Sequence, residues 1–287
     1  MITCKIKFIS GGSIIIMKKF LALMLVLILA SSVFAAETPA KLKSISQLKT
    51  EKLAAQRGTV GQYIAEDLLG DKKGDLLTTY EKYVDAVSAL LQGKVRAIIM
   101  DEMPAKRFIS SVEGLAIMNE SLSEENYAMG FKKGNSELIS QVNKALSEIK
   151  ADGTLDKIFA KYYETFLAGD SSSIKPEDID FNKGAKGGKL IVGTEAGFAP
   201  YELKVGSSFI GIDVEMCAAI AKKLDKELVI INMNFDALPM AVSTNKVDLI
   251  CAGITVTEER KENMDFSDNY VVGAKQVALV KADDYEK

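Results

Sequence analysis

Four short stretches carry most of the polar chemistry of this 287-residue chain: Gln56 to Gly61 (QRGTVG), Asp101-Glu102, Thr194 to Tyr201 (TEAGFAPY) and Gly253 to Arg260 (GITVTEER). Most of them follow apolar, β-branched runs, which places them at the carboxyl ends of strands. In open α/β sheets ligands gather there, and helix N-termini present free N–H groups to anions. The stretches supply Gly-Thr elements for a carboxylate, an arginine, carboxylates for an ammonium, and aromatic walls. That set fits recognition of a small zwitterion. Histidine is absent, which removes His-based acid/base catalysis, Ser-His-Asp and Cys-His nucleophiles, and His-containing zinc sites. Cys4, Cys217 and Cys251 show no C-x-x-C spacing, so no metal and no cofactor is expected.

The elements that must position these residues come from a chain with 48% apolar and 26% charged residues. That is enough to bury a core, and it excludes a disordered chain or a disulfide-stapled miniprotein. At the N-terminus, Met17-Lys18-Lys19-Phe20 leads into an apolar run over 21–30 and then Ser31-Ser32-Val33-Phe34-Ala35. This is the order of a secretory signal peptide, with Met17 as the expected start and cleavage expected after Ala35. The run is too short to span a bilayer, which takes about 20 residues, so no stable membrane insertion of the mature chain is expected. Cleavage would remove four of the 36 basic residues against 39 acidic ones, a net charge of −7. An exported acidic chain is a poor candidate for nucleic acid or anionic membranes. Cys217 and Cys251 would share an oxidising compartment, and their spacing leaves a disulfide and two buried thiols both open.

Strand-like runs at 95–100, 189–194 and 247–251 alternate with helical stretches at 83–91, 213–224 and 235–243, which predicts an α/β architecture with mainly parallel strands. A hairpin is expected over 201–203 and 209–211. The two α/β units echo one another, Asp85-Ala86 with Asp236-Ala237 and Gly93-Lys94-Val95 with Asn245-Lys246-Val247. Between them lie long helices at 136–149 and 155–166, split by Ala151-Asp152-Gly153-Thr154. The Gly-, Ser- and Lys-rich stretch that follows reads as a linker.

Residues Lys189 to Tyr201, Gly211-Ile-Asp-Val-Glu215, Phe235-Asp-Ala-Leu238, Gly253 to Arg260 and Asp265-Phe-Ser-Asp268 resemble the first lobe of the family 3 extracellular solute-binding proteins, the amino-acid receptors of ABC importers. Gln56 to Gly61, Met100 to Ala105 and Lys150 to Lys157 are similar to that family's second lobe and C-terminal helix. The resemblance implies a two-lobed, type II periplasmic-binding-protein-like α/β fold. The lobe order is reversed, so the chain looks circularly permuted, with a fusion of fragments from two tandem receptor genes as the alternative. The expected organisation is an upstream extension and signal peptide over 1–35, a second-lobe-like segment over 36–127, a return strand and helices over 128–166, a flexible linker over 167–188, and a first-lobe-like segment over 189–287. Two crossing strands, at 127–134 and 274–281, would join the lobes. Permutation would leave only the first a continuous connection, with a looser hinge or lobe exchange between two chains as the consequence.

By the same resemblance, Arg260 is expected to clamp the ligand carboxylate with the Thr255 and Thr59 backbone N–H groups, a surface ion pair with Glu258 or Glu259 being the plain alternative. Asp101 is expected to hold the α-ammonium with the Gly253 carbonyl and the Thr255 hydroxyl, or to cap the following helix. Phe198 and Phe235 would flank the ligand side chain, although Phe235 also suits a core position. Glu195 would face that side chain, and Arg57 and Gln56 would line the same pocket or stay solvated. The implied function is an exported protein, not an enzyme, that captures an L-amino acid and delivers it to an ABC permease. Glu195 favours a polar or basic ligand, whereas Arg57 turned inward would favour an acidic one. A sensory ligand-binding module, or a dehydratase on the same fold, is the alternative.

Overall fold

The computed structural model describes residues 40–169 and 173–287; the expected leader, its cleavage point and Cys4 lie outside them. Along the described chain, apolar runs become strands and amphipathic stretches become the helices that cover them. First come β1 (Leu53–Gln56), α1 (Val60–Leu69), α2 (Lys73–Leu76), β2 (Leu77–Tyr80), α3 (Tyr83–Leu91), β3 (Ala97–Asp101), α4 (Glu102–Ser111), β4 (Leu115–Ile117) and β5 (Ser123–Tyr127). Then follow β6 (Gly130–Lys132), α5 (Ser136–Ala151), α6 (Thr154–Leu167), β7 (Lys189–Thr194), β8 (Gly197–Phe198), β9 (Glu202–Val205), β10 (Ser208–Ile210) and α7 (Ile212–Lys223). The last are β11 (Glu227–Asn232), α8 (Leu238–Ser243), β12 (Leu249–Ile250), α9 (Glu258–Asn263), β13 (Met264–Phe266) and β14 (Val271–Lys281).

The strands form two α/β sheets and a small antiparallel one. One sheet runs β2-β1-β3-β14-β4 with β5 also on β14, the other runs β11-β7-β12-β6-β13, and β10-β9-β8 makes the third. β1 pairs in parallel with β2 and β3, and β7 with β11 and β12. All five residues of β3 are buried, as are all four of β1. Fully buried strands of this kind belong to sheets covered on both faces, which is why their sequences read as unbroken apolar runs.

The chain passes between the two large sheets twice, from β5 to β6 and from β13 to β14. These crossings pair with each other, Val271 opposite Tyr127 and Val272 opposite Asn126. Strand β14 then inserts antiparallel between β3 and β4, so the 189–287 segment contributes its last strand to the sheet built by the 36–127 segment. Leu42 and Tyr285 form a short parallel bridge in which the Leu42 N–H donates to the Asp284 carbonyl at 2.8 Å and the Glu286 N–H donates to the Leu42 carbonyl at 2.9 Å.

The stretch expected to be a flexible linker is anchored in its described part. Ile174 and Ile179 are buried in the main core, and the Leu228 N–H donates to the Phe181 carbonyl at 2.9 Å. Two isoleucines are enough to override the Gly-, Ser- and Lys-rich composition around them. Cys217 and Cys251 are both buried and free. Among the described residues no helix is long and apolar enough to cross a membrane.

Candidate functional site

The strand ends of the two large sheets face each other across a narrow cleft. Its walls carry Gln56, Thr59, Asp101, Glu195, Phe198, Phe235, Gly253, Thr255, Arg260 and Gln276 around a space of about 300 Å³, which includes the gaps between wall atoms.

One wall comes from the β1–α1 turn and the end of β3. Gly58 turns the chain with φ at +77°, and a Cβ there would lie 3.1 Å from the Cβ of Asp236 on the opposite wall. Thr59 then caps α1: its Oγ1 accepts from the Gln62 N–H at 3.3 Å and donates to the Gln56 carbonyl at 2.8 Å. Asp101 sits where β3 becomes α4, yet its side chain makes no capping bond. Instead it accepts a hydrogen bond from the Tyr127 hydroxyl. Burial, reinforced by the neighbouring Glu125, pushes the Asp101 carboxyl up to about 7, against the lowering effect of bonds from Tyr127 and Gln276.

The opposite wall is built from the ends of β7 and β12. Glu195 is buried, and its Oε2 accepts from Gln56 Nε2 at 3.2 Å. Burial raises its carboxyl above the ordinary range. Phe198 stacks between Tyr83, with ring centroids 6.1 Å apart, and Tyr201, at 5.5 Å. Gly253 has φ at +55°, and an added Cβ would stand 2.5 Å from the Phe198 ring. Only glycine therefore lets the chain pass there.

Arg260 reaches the cleft from α9. Its Nη1 donates to the Thr255 carbonyl at 2.8 Å, its Nη2 donates to the Gly58 carbonyl at 3.0 Å, and its guanidinium lies 5.5 Å from the centre of the Phe235 ring. No carboxylate lies within 4.0 Å of it among the described residues, so the expected alternative of an ion pair with Glu258 or Glu259 is not formed. Lys261 takes Glu258 instead. Burial lowers the Arg260 pKa. Phe235 is half-buried, lining the cleft and packing against the apolar cluster of that wall.

Nine of the ten sequence-nominated residues, Arg260, Asp101, Thr255, Gly253, Thr59, Glu195, Phe198, Phe235 and Gln56, thus share one cleft. Arg57 does not. Its side chain is half exposed and stands at the rim between Glu81 at 4.0 Å and Asp236 at 3.8 Å. Those two carboxylates offer it solvated partners, which a turn into the cleft would forfeit. The nominated set omitted Gln276, a polar interruption of the otherwise apolar second half of β14, and Glu125. Glu125 is buried, accepts from Thr255 Oγ1 at 2.6 Å and faces Gln276 Nε2 at 3.5 Å.

Residues 13–165 and 190–286 match the model of the bacterial extracellular solute-binding proteins, family 3. The chain belongs to that family. The arginine-binding extracellular protein ArtP of Bacillus subtilis is 44% identical over 91 residues, 31% of this chain and 36% of that protein. A probable histidine-binding protein of Campylobacter jejuni is 33% identical over 95 residues, 33% of this chain and 37% of that protein. The chain therefore spans little more than a third of the length of these two curated relatives. Among solved structures, the arginine-bound form of domain 1 from TmArgBP shares 37% identity at a TM-score of 0.29, covering 34% of this chain and 83% of that one.

Proposed function

We propose that this family 3 solute-binding protein is a non-catalytic, exported receptor that closes its cleft on one L-amino acid with a cationic side chain and presents it to the permease of an ABC importer. The observation that carries the reading is the charge layout of the cleft. Among the described residues Arg260 has carbonyl partners but no carboxylate, while Asp101 and Glu195 are buried carboxyls on opposite walls. An incoming carboxylate gives Arg260 its missing anion, and an α-ammonium gives Asp101 its cation. Thr255 spends its proton on Glu125, leaving a hydroxyl lone pair for the ammonium. Glu195 with Gln56 then favours a positively charged side chain over an acidic one. Two relatives named for arginine and histidine agree with this preference. The test is a thermal-shift screen of unfolded and refolded protein against the twenty amino acids. L-Arginine or L-lysine at about 1,000 times its dissociation constant stabilises by about 4 kcal/mol; a shift with L-glutamate alone contradicts the assignment.

We also infer that the lobe order is circularly permuted relative to the family. The similarity of the 189–268 motifs to the first lobe, and of the 56–157 motifs to the second, supports this reading. So does the Leu42–Tyr285 bridge, which holds side by side the segments that the unpermuted order would join. A rearranged chain with residues 168–287 placed before 41–167 through a short linker is expected to fold and to bind the same amino acid.

A further inference from the structure

Glu125 is buried beside the cleft without being part of its walls. It lies on β5, in the first crossing strand, and both of its oxygens are taken up. Oε1 accepts from the Ser123 hydroxyl at 3.0 Å. Oε2 accepts from the hydroxyl of Thr255, a residue of the cleft wall, at 2.6 Å, and it faces Gln276 Nε2 at 3.5 Å. An amide N–H can only donate, so Oε2 is the acceptor and the proton in the 2.6 Å bond is that of Thr255. Backbone bonds fasten Thr255 to the same crossing strand, the Val256 N–H donating to the Asn126 carbonyl at 3.0 Å and the Ala128 N–H to the Ile254 carbonyl at 3.3 Å. The Glu125–Thr255 bond is therefore made at the crossing and not across the mouth of the cleft.

A threonine hydroxyl has one proton and two lone pairs, and left to itself it rotates to serve a donor or an acceptor. Resting on the receptor reading above, we propose that Glu125 is a positioning residue that fixes the polarity of the Thr255 hydroxyl, engaging its proton so that the oxygen has only lone pairs to offer a solute. The α-ammonium of an amino acid, which can only donate, then finds an acceptor whose orientation is set before it arrives, with Asp101 on the other wall. A solute group that needs a donor at that position is disfavoured, because Thr255 would have to give up its bond to Glu125 to supply one. Glu125 itself touches no solute in this scheme, since both its oxygens are engaged by protein donors. The device requires an acceptor oxygen at residue 125, and an uncharged one serves.

The test is calorimetric titration of the full chain with L-arginine, in wild type, Glu125→Met, Glu125→Gln, Thr255→Val and the Glu125→Met, Thr255→Val double variant. Glu125→Met fills the site without an acceptor and is expected to weaken binding roughly tenfold, the scale of one hydrogen bond to a charged group. Glu125→Gln, whose amide oxygen can take the Thr255 proton, is expected to bind within about threefold of wild type. Thr255→Val is expected to lose as much as Glu125→Met, and the double variant no more than Thr255→Val alone, because both changes act through one hydroxyl. A Glu125→Gln loss as large as that of Glu125→Met means that charge and not hydroxyl polarity is at work, and it overturns the proposal. So does a Glu125→Met affinity equal to wild type, or a Glu125→Met loss that persists in the Thr255→Val background. These results leave the receptor reading intact, whereas absence of any binding heat in wild type contradicts that reading and the proposal with it. If Glu125→Met does not fold, a roughly tenfold loss in Glu125→Gln overturns the proposal, and near-wild-type binding in it beside a loss in Thr255→Val upholds it.

Discussion

Arg260 and Gly58, 202 residues apart in sequence, meet across the cleft, the guanidinium Nη2 donating to the glycine carbonyl at 3.0 Å. The contact ties α9 to the β1–α1 turn on the opposite wall. A carbonyl is a weak substitute for a carboxylate beside a buried arginine, because it carries no net charge to set against the guanidinium and cannot accept both of its N–H groups in a bidentate pair. The closed cleft thus leaves its strongest donor undersatisfied, and a ligand carboxylate is the group that completes it.

Removing that donor is expected to weaken amino-acid binding by about 2–5 kcal/mol, since it leaves a ligand charge buried without a partner. Calorimetry on Arg260→Ala measures this directly. The Arg260→Lys variant recovers only part of the loss, because a single ammonium lacks the planar fork of the guanidinium.

Asp101 trades stability for binding. Its carboxyl is raised above the unfolded value by burial and by Glu125, so its favourable contribution is complete below the unfolded pKa and is lost as pH rises through about 7. Asp101→Asn is therefore expected to be more stable than wild type at pH 8, by on the order of 2–4 kcal/mol, and of similar stability at pH 4. Denaturant titrations without ligand at both pH values check this. A variant less stable than wild type at pH 8 contradicts the account of the buried charge.

Gly253 has no room for a side chain. Positive φ and a 2.5 Å approach to the Phe198 ring act together, and Gly253→Ala is expected to cost about 1–3 kcal/mol of stability. Its N–H also donates to Asp213 Oδ2 at 2.9 Å, so the Phe198 wall shifts with it. Chemical denaturation read by tyrosine fluorescence reports the first effect, and a weakened ligand affinity the second.

Much of the site was legible before the structure because its residues stand at strand ends, where local sequence speaks plainly. The run at 189–194 is β7 residue for residue, and 83–91 is α3. Nine nominated residues converge because each stands at a strand end or opens a helix whose place the apolar pattern already marked. Glu125 was not legible. Its strand reads Ser-Glu-Glu-Asn-Tyr, with no apolar alternation to reveal burial, and one of its partners lies 151 residues away. For Arg57 the sequence leaves the cleft and the solvated position both open, because its neighbours in sequence line the cleft, and only the spatial positions of Glu81 and Asp236 hold it at the rim. The anchored linker shows the same limit, since composition cannot weigh two well-placed isoleucines against many polar neighbours.

The two described cysteines lie in the core beside buried acids, and burial raises the Cys251 thiol well above its ordinary value. Native protein is therefore expected to resist alkylation at Cys217 and Cys251, and both are expected to react once it is unfolded. Peptide mass spectrometry after iodoacetamide treatment reads this out. Modification of either residue without denaturant, or a mass two units low from a disulfide, is the contrary result.

The central claim is that the cleft holds a cationic amino acid between Arg260, Asp101 and Glu195. The measurement that tests it most directly is calorimetric titration of stripped, refolded protein with L-arginine, L-glutamine and L-glutamate, repeated on Glu195→Gln. The account predicts tightest binding of L-arginine, at one site per chain, with the Glu195→Gln variant losing the preference for arginine over glutamine by roughly tenfold, about 1.4 kcal/mol. Equal or tighter binding of L-glutamate, or an arginine preference untouched by Glu195→Gln, would contradict it.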